Sequence, residues 1–232
     1  MLFLRCVLSL VWGAESRLII TSPHNEAIRH EFGRAFSQWH QQKFGEAVKV
    51  EWRDLGGSSD ILRFVQSEFA AKPDGIGLDI FFGGGSEPFL ILAERNLLFE
   101  YALPDEILSG IPQQIQGIEV YDGRHRWYGA ALSSFGILQN IQVQHRMKLP
   151  MSTRWRDLGE PGLAGWVAAG DPRNSGTMNN MYEAFLQADG WEGGWNLLTR
   201  IAGNVKHFDR LSTTTAKEVT LGEVAYGFAI DF

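Results

Sequence analysis

Cysteine is nearly absent. Among 232 residues only Cys6 occurs, which excludes a disulfide framework and a multi-cysteine metal site. Basic blocks are absent too. Lys and Arg number 21 against 27 Asp and Glu, the net charge is −6, and no stripe of the kind that tracks a nucleic-acid backbone is present. No apolar run reaches the roughly 20 residues that span a bilayer. Low-complexity linkers and short-period repeats are missing as well. GGGSEP lacks the Lys–Ser/Thr pair of a nucleotide-hydrolysing P-loop, and no dinucleotide-binding glycine spacing occurs. There is no G-x-S-x-G elbow, and Ser22 lies too close to His24 along the chain to build a hydrolytic triad with Asp231. The six histidines, at 24, 30, 40, 125, 145 and 207, show no paired metal-ligand spacing, and His30 and His40 are expected to face solvent.

The composition that remains is that of a folded domain or pair of domains. Apolar residues make up 44% and charged residues 21%, and fifteen Phe with eight Trp supply a core and the lining of a pocket. The stretch LIITSPHNEAIRHEFGRAFSQWHQQKFG reads as a buried strand, a polar turn and a long helix. Pro23 suits a first helical position, and Ile28, Phe32, Phe36 and Trp39 form one apolar stripe. The turn joins the carboxyl end of a strand to the amino end of a helix. That is the usual crevice of an open α/β sheet, where free helical N–H groups favour anions and polar ligands.

Two more such units follow: VKVEW, DLGGSSD and a helix through Ile61, Val65 and Phe69; then GLDIFF, GGGSEP and a helix from Phe89. The alternation predicts an α/β fold with a mostly parallel sheet. From Leu98 to Arg126 the pattern loosens, and WYGAALSSFGILQN reads as a crossing between domains. A second α/β set comes after it. Trp166 to Ala169 forms a strand, DPRNSGT a polar loop, and two helical stretches run through Met181–Leu186 and Trp191–Ile201. The strand NVKHF, a helix opening at STTT and the strand AYGFAIDF complete the set.

Polar loops recur at the strand ends of both sets: Ser22–Asn25, Gly56–Ser59, Gly83–Ser86, Ser133–Ser134, Asn174–Thr177 and Ser212–Thr214. Small residues let backbone N–H groups approach a ligand, so the recurrence predicts a cleft lined from both sides. The first-lobe contacts are expected at Ser22, His24, Gly57, Ser58, Gly84 and Gly85. The second-lobe contacts are expected at Ser134, Ser175, Thr177, Thr213 and Asp231. MLFLRCVLSLVWGAES reads as a shortened secretory signal, with cleavage after Ala14.

Taken in order, SPHNEA, GLDIFFGGGSEPF, LAERNLL, WYGAALSSFGILQN, RWRDLGEPGLAGWVAAGDPRNSGT, GGWNLLTRIAGNV and GEVAYGFAIDF resemble the extracellular solute-binding proteins of ABC importers. The branch is the one with ferric-ion and thiamine binders, of type II periplasmic-binding fold. The resemblance implies two α/β lobes, residues 17–130 and 131–232, after a signal remnant at 1–14. It implies a cleft that captures a small solute, hinge closure, and delivery to the permease subunits of the membrane transporter. It further implies a periplasmic monomer, no enzymatic activity, no cofactor and no nucleic-acid partner. Such chains continue beyond an AIDF-like strand and return to the first lobe. The chain is therefore expected to be truncated, with the C-terminal part of the first lobe and some of its cover missing.

His24 stands where ferric-binding relatives place a ligating His. The first position of their tyrosine pair is Phe232, and their acidic ligand after the third strand is replaced by glycine near Gly84. The solute stays open between ferric ion, a cationic organic molecule such as thiamine or a polyamine facing Asp231, and a phosphonate or carboxylate. A cytoplasmic ligand-sensing module and an enzyme on the same scaffold are the competing readings.

Overall fold

The computed structural model describes residues 16–115 and 117–231. The expected signal segment at 1–14 and Phe232 lie outside them. β1 (Ser16–Thr21) is followed by α1 (Glu26–Phe44), β2 (Val48–Arg53), α2 (Ser58–Ala71), β3 (Ile80–Phe81) and α3 (Glu87–Glu94). The three strands form a parallel sheet in the order β2-β1-β3. Parallel neighbours need a crossover, and the helices supply it. The short helix α4 (Asp105–Leu108) and the hairpin β4 (Gln114–Ile115) and β5 (Ile118–Glu119) occupy the loosely patterned region.

The second set begins with β6 (Phe135–Gln139) and α5 (Ile141–Met147), then two 3₁₀ turns at Trp155–Gly159 and Pro161–Leu163. It continues with β7 (Val167–Gly170), α6 (Gly176–Asn204), β8 (Val205–Asp209), α7 (Ser212–Leu221) and β9 (Tyr226–Ile230). These strands form a second sheet, β6-β9-β7-β8. β7 runs parallel to both neighbours, and β6 runs antiparallel to β9 over Phe135–Ile230 to Gln139–Tyr226. β7 is buried along its whole length. On one face Met178, Met181, Phe185, Leu197 and Ile201 of α6 pack with Val167, Ala169 and Phe228. On the other, Ala168 meets Val219 of α7 and Val224. A strand covered on both faces needs small and branched apolar side chains, which VAAG provides. A smaller core joins Ile61 and Val65 of α2 to Leu92 of α3.

Two elements differ from expectation. The stripe on α1 is not core: Phe32 is 54% and Trp39 46% exposed, and Gly33 is the buried residue of the helix. α1 sits down on β2 through that gap, since a Cβ at Gly33 would lie 2.9 Å from Trp52 Nε1. The aromatic residues pack instead along the helix and against Phe82, as in Phe32–Phe82 at 4.9 Å and Trp39–Phe44 at 5.5 Å. The two helical stretches around residues 181 and 195 join as α6, broken only at Gly190, whose φ of 72° and ψ of 171° no helix contains. Among the described residues no helix is long and apolar enough to cross a membrane.

Candidate functional site

Five helices begin close together between the two sheets, and the seam where their starting loops meet is the candidate crevice. α1, α2 and α3 follow the strands of the first sheet, while α6 and α7 follow β7 and β8 of the second. Each start follows a strand end, so the positive ends of the helix dipoles gather there, with leading N–H groups of α1 and α6 capped by Asn25, Ser58 and Ser175.

The turn before α1 is held by Ser22, which is buried. Its Oγ accepts from the backbone N–H of His24 at 3.2 Å and lies 2.9 Å from His24 Nδ1. Burial lowers the His24 pKa below the usual imidazole value, and Arg29 adds to this, while a backbone hydrogen bond with Phe82 opposes it. Burial and Arg29 thus both favour the uncharged ring. It packs on Gly83, where a Cβ would come within 2.0 Å of its Cε1. Gly83, Gly84 and Gly85 all have left-handed φ, 82°, 100° and 82°, so the loop before α3 demands glycine for its backbone as well as its space.

Ser58 and Gly57 form the contact between the sheets. Ser58 Oγ accepts from the N–H of Gly176, the first residue of α6, at 2.9 Å, and both residues are buried. A Cβ on Gly57 would lie 2.1 Å from the carbonyl oxygen of Asn174, and one on Gly84 would lie 2.8 Å from Ser58 Cβ. Around this centre Arg63 Nη1 donates to the Arg173 carbonyl at 3.1 Å, and Arg210 pairs with Asp60 at 3.0 Å. Asp171 braces the loop before α6. It takes Arg173 in two-point contact, and those hydrogen bonds hold its carboxyl below the ordinary range. Gly85 faces Asn180, and next to it burial, with Glu183 opposite, raises Glu87.

Ser22, His24, Gly57, Ser58, Gly84, Gly85 and Ser175 thus gather at the crevice. Ser175 is spent on its own helix, since its Oγ accepts from Met178 N at 3.3 Å. Thr177 and Thr213 lie in the first turns of α6 and α7, partly exposed. Ser134 and Asp231 are joined to each other at the end of the β6–β9 pairing, within the second sheet. Ser134 Oγ donates to Asp231 Oδ2 at 2.6 Å, its N–H donates to Oδ1, and these bonds hold Asp231 below the usual carboxylate range. Sequence reasoning had Gly83 and Gly176 in its candidate loops without naming them as contacts, and passed over Asn180 and the Asp60–Arg210 pair. Only the run of three glycines carried a local signal.

Helix amino ends, hydroxyls and an imidazole suit an oxyanion. Asp60, the carboxylate at the centre, is already engaged by Arg63, Arg210 and the Gly57 N–H.

The family described as bacterial extracellular solute-binding protein matches residues 78–232. The phosphoglycerate transport regulatory protein PgtC of Salmonella typhimurium is 29% identical over 145 residues, which cover 61% of this chain and 36% of that protein. An uncharacterized protein of Haemophilus influenzae is 26% identical over 199 residues, 82% of this chain and 54% of its own length. The chain therefore spans only part of these relatives. Among solved structures, the periplasmic binding protein AfuA of Actinobacillus pleuropneumoniae, with fructose-6-phosphate bound, superposes with a TM-score of 0.73 at 23% identity. It covers 94% of this chain and 64% of that one. Iron-bound HitA of Pseudomonas aeruginosa gives 0.70 at 23%, with 94% and 63% covered. The fold is thus that of the periplasmic binding proteins, and the chain belongs to the bacterial extracellular solute-binding proteins.

Proposed function

We propose that this chain is the periplasmic solute-binding component of an ABC importer, and that it captures a small phosphate- or carboxylate-bearing solute in the crevice. Its lobes are residues 17–130 and 131–232. It acts as an exported monomer that hands the solute to the permease and performs no turnover. The observation that carries this reading is the Ser58–Gly176 contact. A hydroxyl oxygen from the first sheet already satisfies the leading N–H of a helix from the second, at the point where a solute oxyanion would be bound. Two of the relatives fit this chemistry by name, one concerning phosphoglycerate and another structure holding fructose-6-phosphate, whereas HitA was solved with iron. Ferric ion fits less well, because it wants hard anionic oxygens and Asp60, the carboxylate at the centre, is already engaged.

Calorimetric titration of the purified chain with 3-phosphoglycerate, fructose 6-phosphate and ferric citrate tests the reading. Saturable binding of a phosphate ester is expected. Ser58→Ala should weaken it by about five- to tenfold, the worth of one hydrogen bond of about 1 kcal/mol. A cooperatively melting chain that binds neither ester would overturn it, and saturable ferric binding alone would restore the metal reading.

A further inference from the structure

Away from the crevice, β8 and α7 bring together three side chains that no solute contact uses. His207 and Asp209 are two residues apart on a strand, so their side chains share a face. Glu218 reaches the same place from α7. His207 Nε2 lies 3.3 Å from Asp209 Oδ1 and 2.7 Å from Glu218 Oε1, and one donor atom from each residue falls within 4.8 Å of the others. Asp209 is 9% exposed and Glu218 7%, and each keeps a buried oxygen, Oδ2 and Oε2, with no hydrogen-bond partner.

Two carboxylates side by side out of water need a positive charge and full hydrogen bonding. A protonated imidazole offers one Nε2–H here, directed chiefly at Glu218, and it leaves both orphan oxygens unmet. We infer that His207, Asp209 and Glu218 bind a divalent first-row transition cation. Such a cation neutralises both carboxylates and gives buried oxygens a partner. One imidazole with two carboxylates is a donor set for Zn²⁺, Mn²⁺ or Fe²⁺, whereas Mg²⁺ and Ca²⁺ want oxygen alone. Ligand bonds of roughly 2.0–2.2 Å set adjacent donors about 3–3.5 Å apart. The His207–Asp209 separation already meets this, and the His207–Glu218 pair has only to open slightly. His207 is half exposed, which leaves an entry path and room for water ligands.

The site lies behind one wall of the crevice. The Asp209 carbonyl accepts from the Asp171 N–H at 2.7 Å, and the next residue, Arg210, reaches across to Asp60. A bound cation would pin β8 to α7 at the base of both contacts.

Calorimetric titration of the tag-free chain with ZnCl2, after chelator treatment and dialysis and with no solute present, tests this. One equivalent of Zn²⁺ is expected, with a rise in Tm that the chelator reverses. His207→Ala should weaken binding at least tenfold, as should Asp209→Asn and Glu218→Gln, while His24→Ala leaves it unchanged. Cobalt substitution should give visible ligand-field bands that His207→Ala abolishes. His207 is on an exposed edge, so this variant should fold even if a carboxylate variant does not. No saturable site below millimolar Zn²⁺, or undiminished affinity in His207→Ala, would overturn the inference. The same holds for loss of binding in His24→Ala alone, which would move the ion to the crevice.

Discussion

Gly57 shows how much one missing methyl group decides. Its φ of −74° is ordinary, so alanine there brings no backbone strain. The obstacle is the Asn174 carbonyl oxygen, 2.1 Å from where the Cβ would be. A backbone atom cannot swing aside as a long side chain can, so the loops before α2 and α6 must separate. Gly57→Ala should therefore weaken solute binding by tenfold or more while both sheets stay folded, with titration calorimetry and circular dichroism as the paired measurements. Asp122 acts through charge instead. Arg126 grips its carboxylate at two points, 2.7 and 2.8 Å, and reaches the Ala93 carbonyl, tying this loop to the end of α3. Those bonds from Arg126 bring the Asp122 pKa down to about 2. A carboxyl whose folded pKa is depressed stabilises the fold above its unfolded value and loses that contribution as pH falls through its folded one. Between about pH 4 and pH 2 an Asp122→Asn variant should lose stability less steeply than the parent in acid denaturation. The difference should be of order 1 kcal/mol once solvent screening is allowed for.

At the scale of elements, Asn204 closes α6. Its Nδ2 donates to the carbonyls of Leu158 and Glu160, both at 2.7 Å, in a buried position. Asn204→Ala would leave two carbonyls without that donor, and a loss of about 2–3 kcal/mol is expected in urea denaturation. The strand–turn–helix alternation was legible in sequence because its signals are local: apolar runs, polar turns and helical periodicity. The same locality explains why the α1 stripe misled. Phe32 and Trp39 have the spacing of a buried face, but burial depends on what lies opposite, and the Gly33–Trp52 contact seats a different face on the sheet. That Ser22, Ser58 and Gly84 lie in strand-to-helix turns was legible from the same local signals. Asn180 lies inside a helix and Arg210 gains meaning only from Asp60, 150 residues earlier, so no local pattern marks them. His207 and Asp209 did carry a signal, a strand alternation placing both on one face, but Glu218 had to come from the fold.

On the scale of the molecule, the two sheets share no strand. The antiparallel β6–β9 pairing, fastened by Ser134 and Asp231, lies within the second sheet and steadies that sheet alone. Among the described residues, hydrogen bonds across the crevice come from the Ser58 hydroxyl, from Arg63 to a carbonyl and from the Asp60–Arg210 pair, beside the packing of Gly57 on Asn174. Exposed ion pairs contribute about 1 kcal/mol or less, so the facing loops can part at small cost. On the proposed function, a solute that touches both walls would supply the closing free energy through its higher affinity for the closed form. Asp60→Asn isolates this balance. It removes the charge that Arg210 reaches from the other sheet, yet an amide oxygen can still accept from the Gly57 N–H, so α2 keeps its cap. The solute-free variant should show a larger radius of gyration in small-angle scattering, with Tm within a few degrees of the parent. Saturating solute should restore the compact value, at a Kd raised about fivefold because part of the binding energy is drawn into closure. An unchanged radius and an unchanged Kd together would mean that the Ser58–Gly176 bond and the packing of Gly57 on Asn174 hold the walls without help from charge.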